Sequence, residues 1–285
     1  MLDVKDLAAA RELWTDLLGG TTDPDQSDDG TIRVAPGLDV VLQPSDRSGP
    51  SQLVVATAQL AAVRSVAREL GLRTRDGDDG LVIDDARFGG GHLRLIATEP
   101  APPDVDVSGE HAPDDPPMGV IGLRRADHVC FAVDDLRVGA ALLDAAGGWP
   151  VLGGDGPAGA RALVFRFPHL KVEMLAPTTR DGPVSRYLGR RDGRSGIQHL
   201  TLFVHDVTAA VAGLTEAGVP TVDTDATTRD TWHETFIRPV ATENLLIQLA
   251  RTTIDHKRRL AAEQIDDINA GRYSAVDYQM RRKEG

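Results

Sequence analysis

The 285-residue sequence is poor in cysteine, in aromatic residues and in positive charge. Its single cysteine, Cys130, excludes an intramolecular disulfide and favours a reducing compartment. Aromatic residues make up only 4% of the chain, which is too few for a base-stacking platform. Lys and Arg number 31 against 43 Asp and Glu, a net charge of -12 that argues against contacts with a phosphate backbone. We therefore expect no nucleic-acid partner.

Long apolar runs are also lacking, because no run approaches the roughly 18 residues that a membrane span needs. The opening segment MLDVKDLAAARELW shows no basic region followed by an apolar one, as a secretory signal would. The chain is 41% hydrophobic and 26% charged, which is ordinary for a globular domain. We expect a cytoplasmic protein without membrane contacts that binds a small molecule, with a homodimer as an open alternative.

A stretch rich in proline and aspartate, residues 99–122, divides the chain. It carries too little apolar surface to fold alone, which predicts a semi-extended linker. The linker separates a first half, residues 1–98, from a second half, residues 123–252. Residues 253–285 form a charged tail whose apolar residues recur at roughly helical spacing. This tail is predicted to dock as a helix over the second half or to mediate dimerisation.

The second half repeats one pattern of elements. A strand, HVCFAV, leads into a helix, LRVGAALLDAAGG, and is followed by the strands ALVFRF and KVEMLAP. The pattern restarts with HLTLFV, a helix TAAVAGLTEAGV, and strands near ETFIRP and NLLIQLA. The apolar alternation predicts strands with one buried face. Gly147 and Gly218 are typical helix stops.

The first half repeats the same pattern more weakly. Residues 51–74 align without gaps with residues 198–221, and DVKDLAAARELWTDLLGG matches AVDDLRVGAALLDAAGG. The first strand of the opening unit would begin before Met1, so this unit is truncated. Four units in two pairs is the simplest interpretation, and internal repetition is a strong indicator of architecture.

Four polar residues interrupt apolar strands of the second half: His128, Glu173, His199 and Gln248. A buried imidazole or carboxylate is costly unless it is paired or coordinated. Two imidazoles and two oxygen donors from four strands predict one divalent metal site, and these donors do not distinguish Zn, Fe, Co, Ni, Mn and Mg.

The alternative is that each histidine is a hydrogen-bonded core residue. The first half serves as a control, because its matching positions carry Gln52, Val40 and Leu95 or a neighbour of Leu95. The hydrophobic pattern persists there without the polar residues. Folding alone therefore does not require them, which favours the metal-site interpretation.

The segment KVEMLAPTTRDGPVSRYLGRRDGRSGIQHLTLFVHDV, followed by FIRPVATENLLIQLA, resembles the vicinal oxygen chelate (VOC), or glyoxalase-like, superfamily. The second half is most similar to methylmalonyl-CoA epimerases, and the two-half layout resembles type I extradiol and 4-hydroxyphenylpyruvate dioxygenases. The resemblance implies an α+β fold of four βαβββ modules, the first truncated, paired into two halves. It also implies a cup around one metal, with His128, Glu173, His199 and Gln248 on the coordinating positions.

The resemblance implies a reaction as well. A divalent metal would chelate a small carbonyl or carboxyl substrate, such as an acyl thioester, a keto acid or a biosynthetic intermediate. An enolate-like intermediate would then lead to epimerisation, isomerisation or elimination. The family's last-strand ligand is usually Glu, and here Gln248 cannot accept a proton near neutral pH. Glu173 is therefore expected to act as ligand and base. His233, on a segment Trp232–Glu234 that could rim the cup, is a second catalytic candidate.

Two other functions stay open. One is an Fe(II)-dependent dioxygenase that uses the same histidine pair, and the other is a non-catalytic protein that sequesters a small molecule. A basic cluster either holds an anionic group of the substrate or forms a solvated helix face. Its members are Arg186, Arg190, Arg191 and Arg194.

Overall fold

The computed structural model of the chain describes residues 1–22, 30–35, 38–77, 80–99, 118–156, 158–222, 231–254, 256–276 and 279–284. Most of the expected linker, residues 100–117, lies outside the described residues. Every helix in the described ranges is too short or too polar to cross a bilayer.

The first half consists of two modules that each start with a strand and a helix. The first module comprises β1 (Leu2–Val4), α1 (Leu7–Glu12), β2 (Thr31–Ala35), β3 (Leu38–Pro44) and the short β4 (Gly49–Pro50). The second comprises β5 (Leu53–Thr57), α2 (Leu60–Glu69), β6 (Thr74–Gly77), β7 (Gly80–Asp85) and β8 (Phe88–Ala97). Within each module the first strand pairs in parallel with the last long strand, β1 with β3 and β5 with β8.

The second half repeats this arrangement with longer strands. The third module comprises β9 (Leu123–Ala132), α3 (Leu136–Ala145), β10 (Trp149–Asp155), β11 (Ala160–Arg166) and β12 (Lys171–Pro177). After the connecting α4 (Pro183–Gly189), the fourth module comprises β13 (Gly196–Val204), α5 (Val207–Glu216), β14 (Trp232–Ile237) and β15 (Leu246–Thr252). The predicted α+β fold of repeated modules is confirmed.

Aspartate caps mark equivalent positions in three of the modules. The side chains of Asp6, Asp135 and Asp206 each accept hydrogen bonds from backbone N–H groups in the first turn of α1, α3 and α5. These N–H groups have no partner within the helix, so a carboxylate cap stabilises the helix start. The cap therefore sets the same strand-to-helix turn in each of these modules.

The two modules of the second half share one sheet. The strand order is β14-β15-β13-β9-β12-β11-β10, with β13 and β9 antiparallel at the centre. The parallel pairs β9–β12 and β13–β15 flank this centre. The central four strands therefore come two from each module, and the metal-ligand candidates lie on all four of them.

The halves share a hydrophobic core. One cluster of buried residues contains side chains from both, and the rings of Phe88 and Phe131 lie 5.5 Å apart. Gly139 on α3 permits this approach, because a Cβ there would meet the Phe88 ring and the sulfur of Met174. The backbone N–H of Ser195 also donates to the carbonyl of Ala86.

The tail packs against the second half, but only part of it is the helix that the sequence predicted. It forms α6 (Ala262–Asn269), β16 (Tyr273–Val276) and β17 (Gln279–Arg282), and the two strands extend the sheet beyond β10. Ile268 is fully buried, where it would touch a Cβ added at Gly153. Dimerisation through the tail stays a prediction.

Candidate metal centre

Three of the predicted ligands meet on the central strands. The Nε2 atoms of His128 on β9 and His199 on β13 lie 3.3 Å apart. The carboxylate oxygen Oε2 of Glu173 on β12 lies 3.4 Å from the first and 3.6 Å from the second. Both histidines are buried, and the Glu173 side chain is 16% exposed. Three donor atoms therefore converge on one point, and the carboxylate is the most exposed of the three groups.

The spacing of these atoms fits a metal ion. A transition metal bound at about 2.0–2.2 Å holds neighbouring ligand atoms roughly 3.0–3.5 Å apart in tetrahedral or octahedral geometry. The three observed separations lie in or next to this range. Two imidazoles and one carboxylate on one side leave positions open for substrate oxygens, as in the two-His-one-carboxylate sites of iron enzymes. The residues present therefore fit a divalent metal.

Each imidazole is oriented through its other nitrogen. Nδ1 of His128 lies 2.9 Å from a carboxylate oxygen of Asp127, and Nδ1 of His199 contacts the side-chain oxygen of Gln198. An acceptor at Nδ1 holds the ring proton there, so the Nε2 lone pair is directed at the metal position. Such outer partners fix ring orientation and strengthen the ligand.

Asp127 is itself held by buried charge. Its carboxylate is buried and accepts from Lys171 Nζ at 2.9 Å, and Arg125 Nη1 lies 2.8 Å away. Burial alone would raise the pKa of Asp127, but Lys171, His128 and Arg125 together hold that pKa well below its usual range. Asp127 therefore stays ionised behind His128.

The pKa values of the three ligands diverge. Burial alone would lower the pKa of His128, but the charge of Glu173 and the hydrogen bond to Asp127 raise it to about 9. Burial lowers the pKa of His199 to about 3, against the opposing charge of Glu173. Burial would raise the pKa of Glu173, yet the His128 charge lowers it. With this raised pKa, His128 carries a second ring proton, on Nε2, at neutral pH when no cation is bound. A divalent cation would displace that proton, because a coordinated imidazole is neutral.

Cys130 lies against the same carboxylate. Burial, and then the charge of Glu173, raise the pKa of its thiol well above the ordinary value. The thiol stays protonated and hydrogen bonds with Glu173. Cys130 is therefore a small, neutral residue beside the site and not a reactive thiolate.

The fourth predicted ligand, Gln248, lies beside this group through Thr201. The Thr201 hydroxyl is 2.8 Å from Nε2 of His128 and donates to Oε1 of Gln248 at 2.5 Å. Thr201 is fully buried and Gln248 is 7% exposed. The structure therefore places Gln248 next to the three ligands, with its amide oxygen turned toward them.

The structure does not bring His233 to this site. On β14, Glu234 and Phe236 share one face, because Glu234 accepts from Gln248 Nε2 and the Phe236 ring lies 6.4 Å from the His199 ring. His233 points to the opposite face with Thr235, since neighbouring strand residues alternate. The catalytic expectation for His233 is therefore wrong for this geometry, and Glu234 is the residue that the strand directs toward the site.

The arginine cluster splits between two places. Arg191 donates to Nε2 of His92 at 2.7 Å, and Arg194 lies 3.7 Å from a carboxylate oxygen of Asp84. Arg186 donates to the backbone carbonyl of Asp181. Two of the four arginines thus bind the first half, so neither predicted role, a substrate clamp or a solvated helix face, describes the whole cluster.

Strand pairing corrects the equivalent positions of the first half. Gln248 pairs with Thr201, and its counterpart paired with Val54 is Arg94, the neighbour of Leu95 that the alignment had left open. Glu173 pairs with Cys130, and the same register in the first module leads to Val41, not Val40. At three of the ligand positions the first half therefore has Gln52, an apolar residue and a cation, which do not form a comparable set of metal ligands.

A sheet of paired modules around a two-His-one-carboxylate cluster defines the class of this protein. The chain belongs to the glyoxalase/bleomycin resistance protein/dioxygenase superfamily, whose profile matches residues 127–236. The ethylmalonyl-CoA/methylmalonyl-CoA epimerase of Cereibacter sphaeroides is 34% identical over 99 residues, which cover 33% of this chain and 71% of the epimerase.

Two solved structures are similar to part of this chain. The methylmalonyl-CoA epimerase of Mycobacterium tuberculosis is 26% identical, with a TM-score of 0.44 over 50% of this chain and 97% of its own. A Streptomyces coelicolor methylmalonyl-CoA epimerase in complex with 2-nitronate-propionyl-CoA is 23% identical, with a TM-score of 0.42 over 46% and 99% of the two chains.

Proposed function

We propose that this protein is a divalent-metal-dependent enzyme of the epimerase, isomerase or lyase type. Its substrate would be a small acyl thioester or keto acid from which a proton is removed next to a carbonyl. The observation that carries the proposal is the convergence of His128, His199 and Glu173, whose ligand atoms lie within 3.6 Å of one another on three neighbouring strands of one sheet. The relationship to an epimerase that acts on ethylmalonyl-CoA and methylmalonyl-CoA supports the same reaction class.

In this reaction, each residue of the site would have a separate role. His128 and His199 would hold the ion, and their Nδ1 partners would keep the lone pairs directed at it. A bound divalent metal supplies Lewis-acid polarisation of substrate oxygens. Glu173 would provide both a ligand oxygen and the proton acceptor, because its lowered pKa keeps it ionised at neutral pH. The Cys130 thiol would orient that carboxylate by its hydrogen bond.

Solvent deuterium exchange tests this proposal. The metal-loaded protein is incubated in D2O with methylmalonyl-CoA and with ethylmalonyl-CoA, and deuterium at the α-carbon is followed by NMR. We expect exchange that requires metal and that falls by at least 100-fold in Glu173→Gln, in line with the contribution of a general base. Protein that takes up no divalent metal from a mixture of Zn²⁺, Co²⁺, Fe²⁺, Ni²⁺ and Mn²⁺ would contradict the proposal.

A second candidate function is an Fe(II)-dependent dioxygenase, which the two-His-one-carboxylate set itself favours. Protein loaded with Fe²⁺ under nitrogen would consume oxygen with a catechol or a keto acid in this case. Iron binding without oxygen uptake, together with metal-dependent proton exchange, would leave the epimerase-type function.

A further inference from the structure

A hydrogen-bonded chain leads away from the metal centre to β14. Nε2 of Gln248 donates to Oε2 of Glu234, and the indole Nε1 of Trp232 donates to the same oxygen at 2.6 Å. At its other end, the amide of Gln248 accepts from Thr201, which lies 2.8 Å from Nε2 of His128. Glu234 is thus two side chains removed from a metal ligand, on a strand at the edge of the sheet.

An amide presents an oxygen acceptor at one end of its head group and two N–H donors at the other. A cation attracts the oxygen and is repelled by the donors. The partner of one end of the Gln248 head group therefore decides whether Oε1 or Nε2 faces the metal centre. A carboxylate only accepts, so Glu234 selects the Gln248 nitrogen and leaves Oε1 directed inward. The Trp232 indole, which only donates, holds the carboxylate in this place.

We propose that Glu234 is a positioning residue of the metal centre. It fixes the amide of Gln248 with its oxygen toward His128, Glu173 and His199, so that a side chain without charge completes the oxygen donors of the site. This inference rests on the proposed metal-dependent function. It gives Gln248 a defined orientation and gives β14 a role that does not involve His233.

Titration of the metal-stripped full chain with Co²⁺ tests the proposal, with affinity from calorimetry and geometry from the visible absorption of the bound ion. Loss of an outer partner of a ligand lowers metal affinity by about 10–100-fold, and we expect this loss, with altered absorption bands, in Glu234→Ala. Glu234→Gln keeps an oxygen that accepts from Gln248, so its affinity should stay within about threefold of wild type. Unchanged Co²⁺ affinity and spectrum in Glu234→Ala would overturn the proposal, as would equal losses in both variants.

Two controls separate positioning from a general loss of structure. Glu234→Met removes the acceptor while it keeps side-chain bulk, and should reproduce the Glu234→Ala result at an unchanged thermal midpoint of the metal-free protein. In a Gln248→Leu background, Glu234→Met should cause no further loss of affinity, because residues that act through one another are not additive. Additive losses would overturn the proposal.

The outcome also distinguishes this inference from the proposed function. If the wild-type protein binds no Co²⁺, both the proposed metal-dependent function and the positioning role of Glu234 are contradicted. If the wild-type protein binds Co²⁺ and the Glu234 variants bind it equally well, only the positioning role of Glu234 is contradicted.

Discussion

The two halves of the molecule share an architecture and differ in what their central strands carry. Both repeat the strand–helix–strand order, both use an aspartate to start a helix, and both contribute to one hydrophobic core. In the second half the central positions hold two imidazoles, a carboxylate and an amide. The first half has Val41, Gln52 and Arg94 at the equivalents of three of them.

This difference shows that the fold does not depend on the metal-ligand residues. A buried imidazole or carboxylate costs stability unless it is paired, and the first half avoids that cost. In the second half, partners offset this cost, because the buried carboxylate of Asp127 contacts Lys171 and Nδ1 of His128. Arg94 adds a second contrast, since a guanidinium always carries its charge and opposes a cation at that position. The candidate site is therefore confined to one of two halves that share the order of strands and helices.

The largest expected effect follows from removing an imidazole. His128→Ala and His199→Ala should each abolish stoichiometric metal in the purified protein, because one imidazole and the Glu173 carboxylate, with only the neutral amide of Gln248 beside them, do not hold a transition metal tightly. Gln52→Ala, at the equivalent of His199 in the first half, should retain full metal. Metal content by elemental analysis, with circular dichroism to confirm the fold, checks this. Full metal content in both histidine variants would refute the site.

Next in size is the loss of a buried ion pair of the second half. The Lys171 side chain is 3% exposed and its partner Asp127 is fully buried. Removal of one partner of a buried pair costs about 3–5 kcal/mol, and we expect Lys171→Met to approach this value in urea unfolding.

The matched control is an exposed pair of the first half. Arg33 and Asp39 form an ion pair with side chains 68% and 42% exposed. Exposed pairs contribute about 0–1 kcal/mol, so Arg33→Met should change the free energy of unfolding by less than this. Equal effects of the two substitutions would contradict the comparison.

A smaller effect is expected where the halves touch. A Cβ at Gly139 would meet the Phe88 ring of the first half at 2.8 Å. Overpacking of this kind costs about 1–3 kcal/mol, so Gly139→Ala should lower the thermal midpoint. Gly189, at the end of α4, has open space around it, and Gly189→Ala should leave the midpoint unchanged or raise it slightly. A midpoint for Gly139→Ala that matches wild type would show that the halves do not depend on this contact.

The smallest effect concerns acid stability at the same boundary. Burial first, and then the charge of Arg191, lower the pKa of His92. A depressed pKa contributes stability that is fully present above the ordinary histidine value of 6.5 and is lost as the pH falls through the lowered value. His92→Gln should therefore flatten the decline of the unfolding free energy between about pH 7 and pH 5. Parallel pH profiles of wild type and variant would argue against this assignment.

Much of the architecture could be read from local patterns. Apolar alternation and a glycine after the helix act within about one turn or one strand, so they identify the module order without tertiary information. The histidine pair was also visible, because a polar residue in an apolar strand demands a partner. The alignment of the two halves also showed that the first half carries other residues at the matching positions.

The errors in the sequence-based predictions are errors of one residue. His233 and Glu234 are neighbours, and a strand sends one to each face, so only the pairing of β14 with β15 shows which reaches the site. The same holds for Val40 against Val41, and the register also decides between Leu95 and its neighbour Arg94, which the alignment left open. Alignment of repeats does not settle a shift of one position, because register depends on hydrogen bonds to another strand.

The sequence alone determined that two equivalent strands each carry a histidine and that a buried imidazole there needs a partner. Hydrophobic periodicity and the cost of desolvation are properties of residue types, so neither requires the tertiary structure. Tertiary structure decided which atoms meet. It placed Asp127 against Lys171, 44 residues away, and Gln248 between Thr201 and Glu234. These contacts join strands that only the sheet order brings together, and the direction of each side chain follows from the register of that sheet.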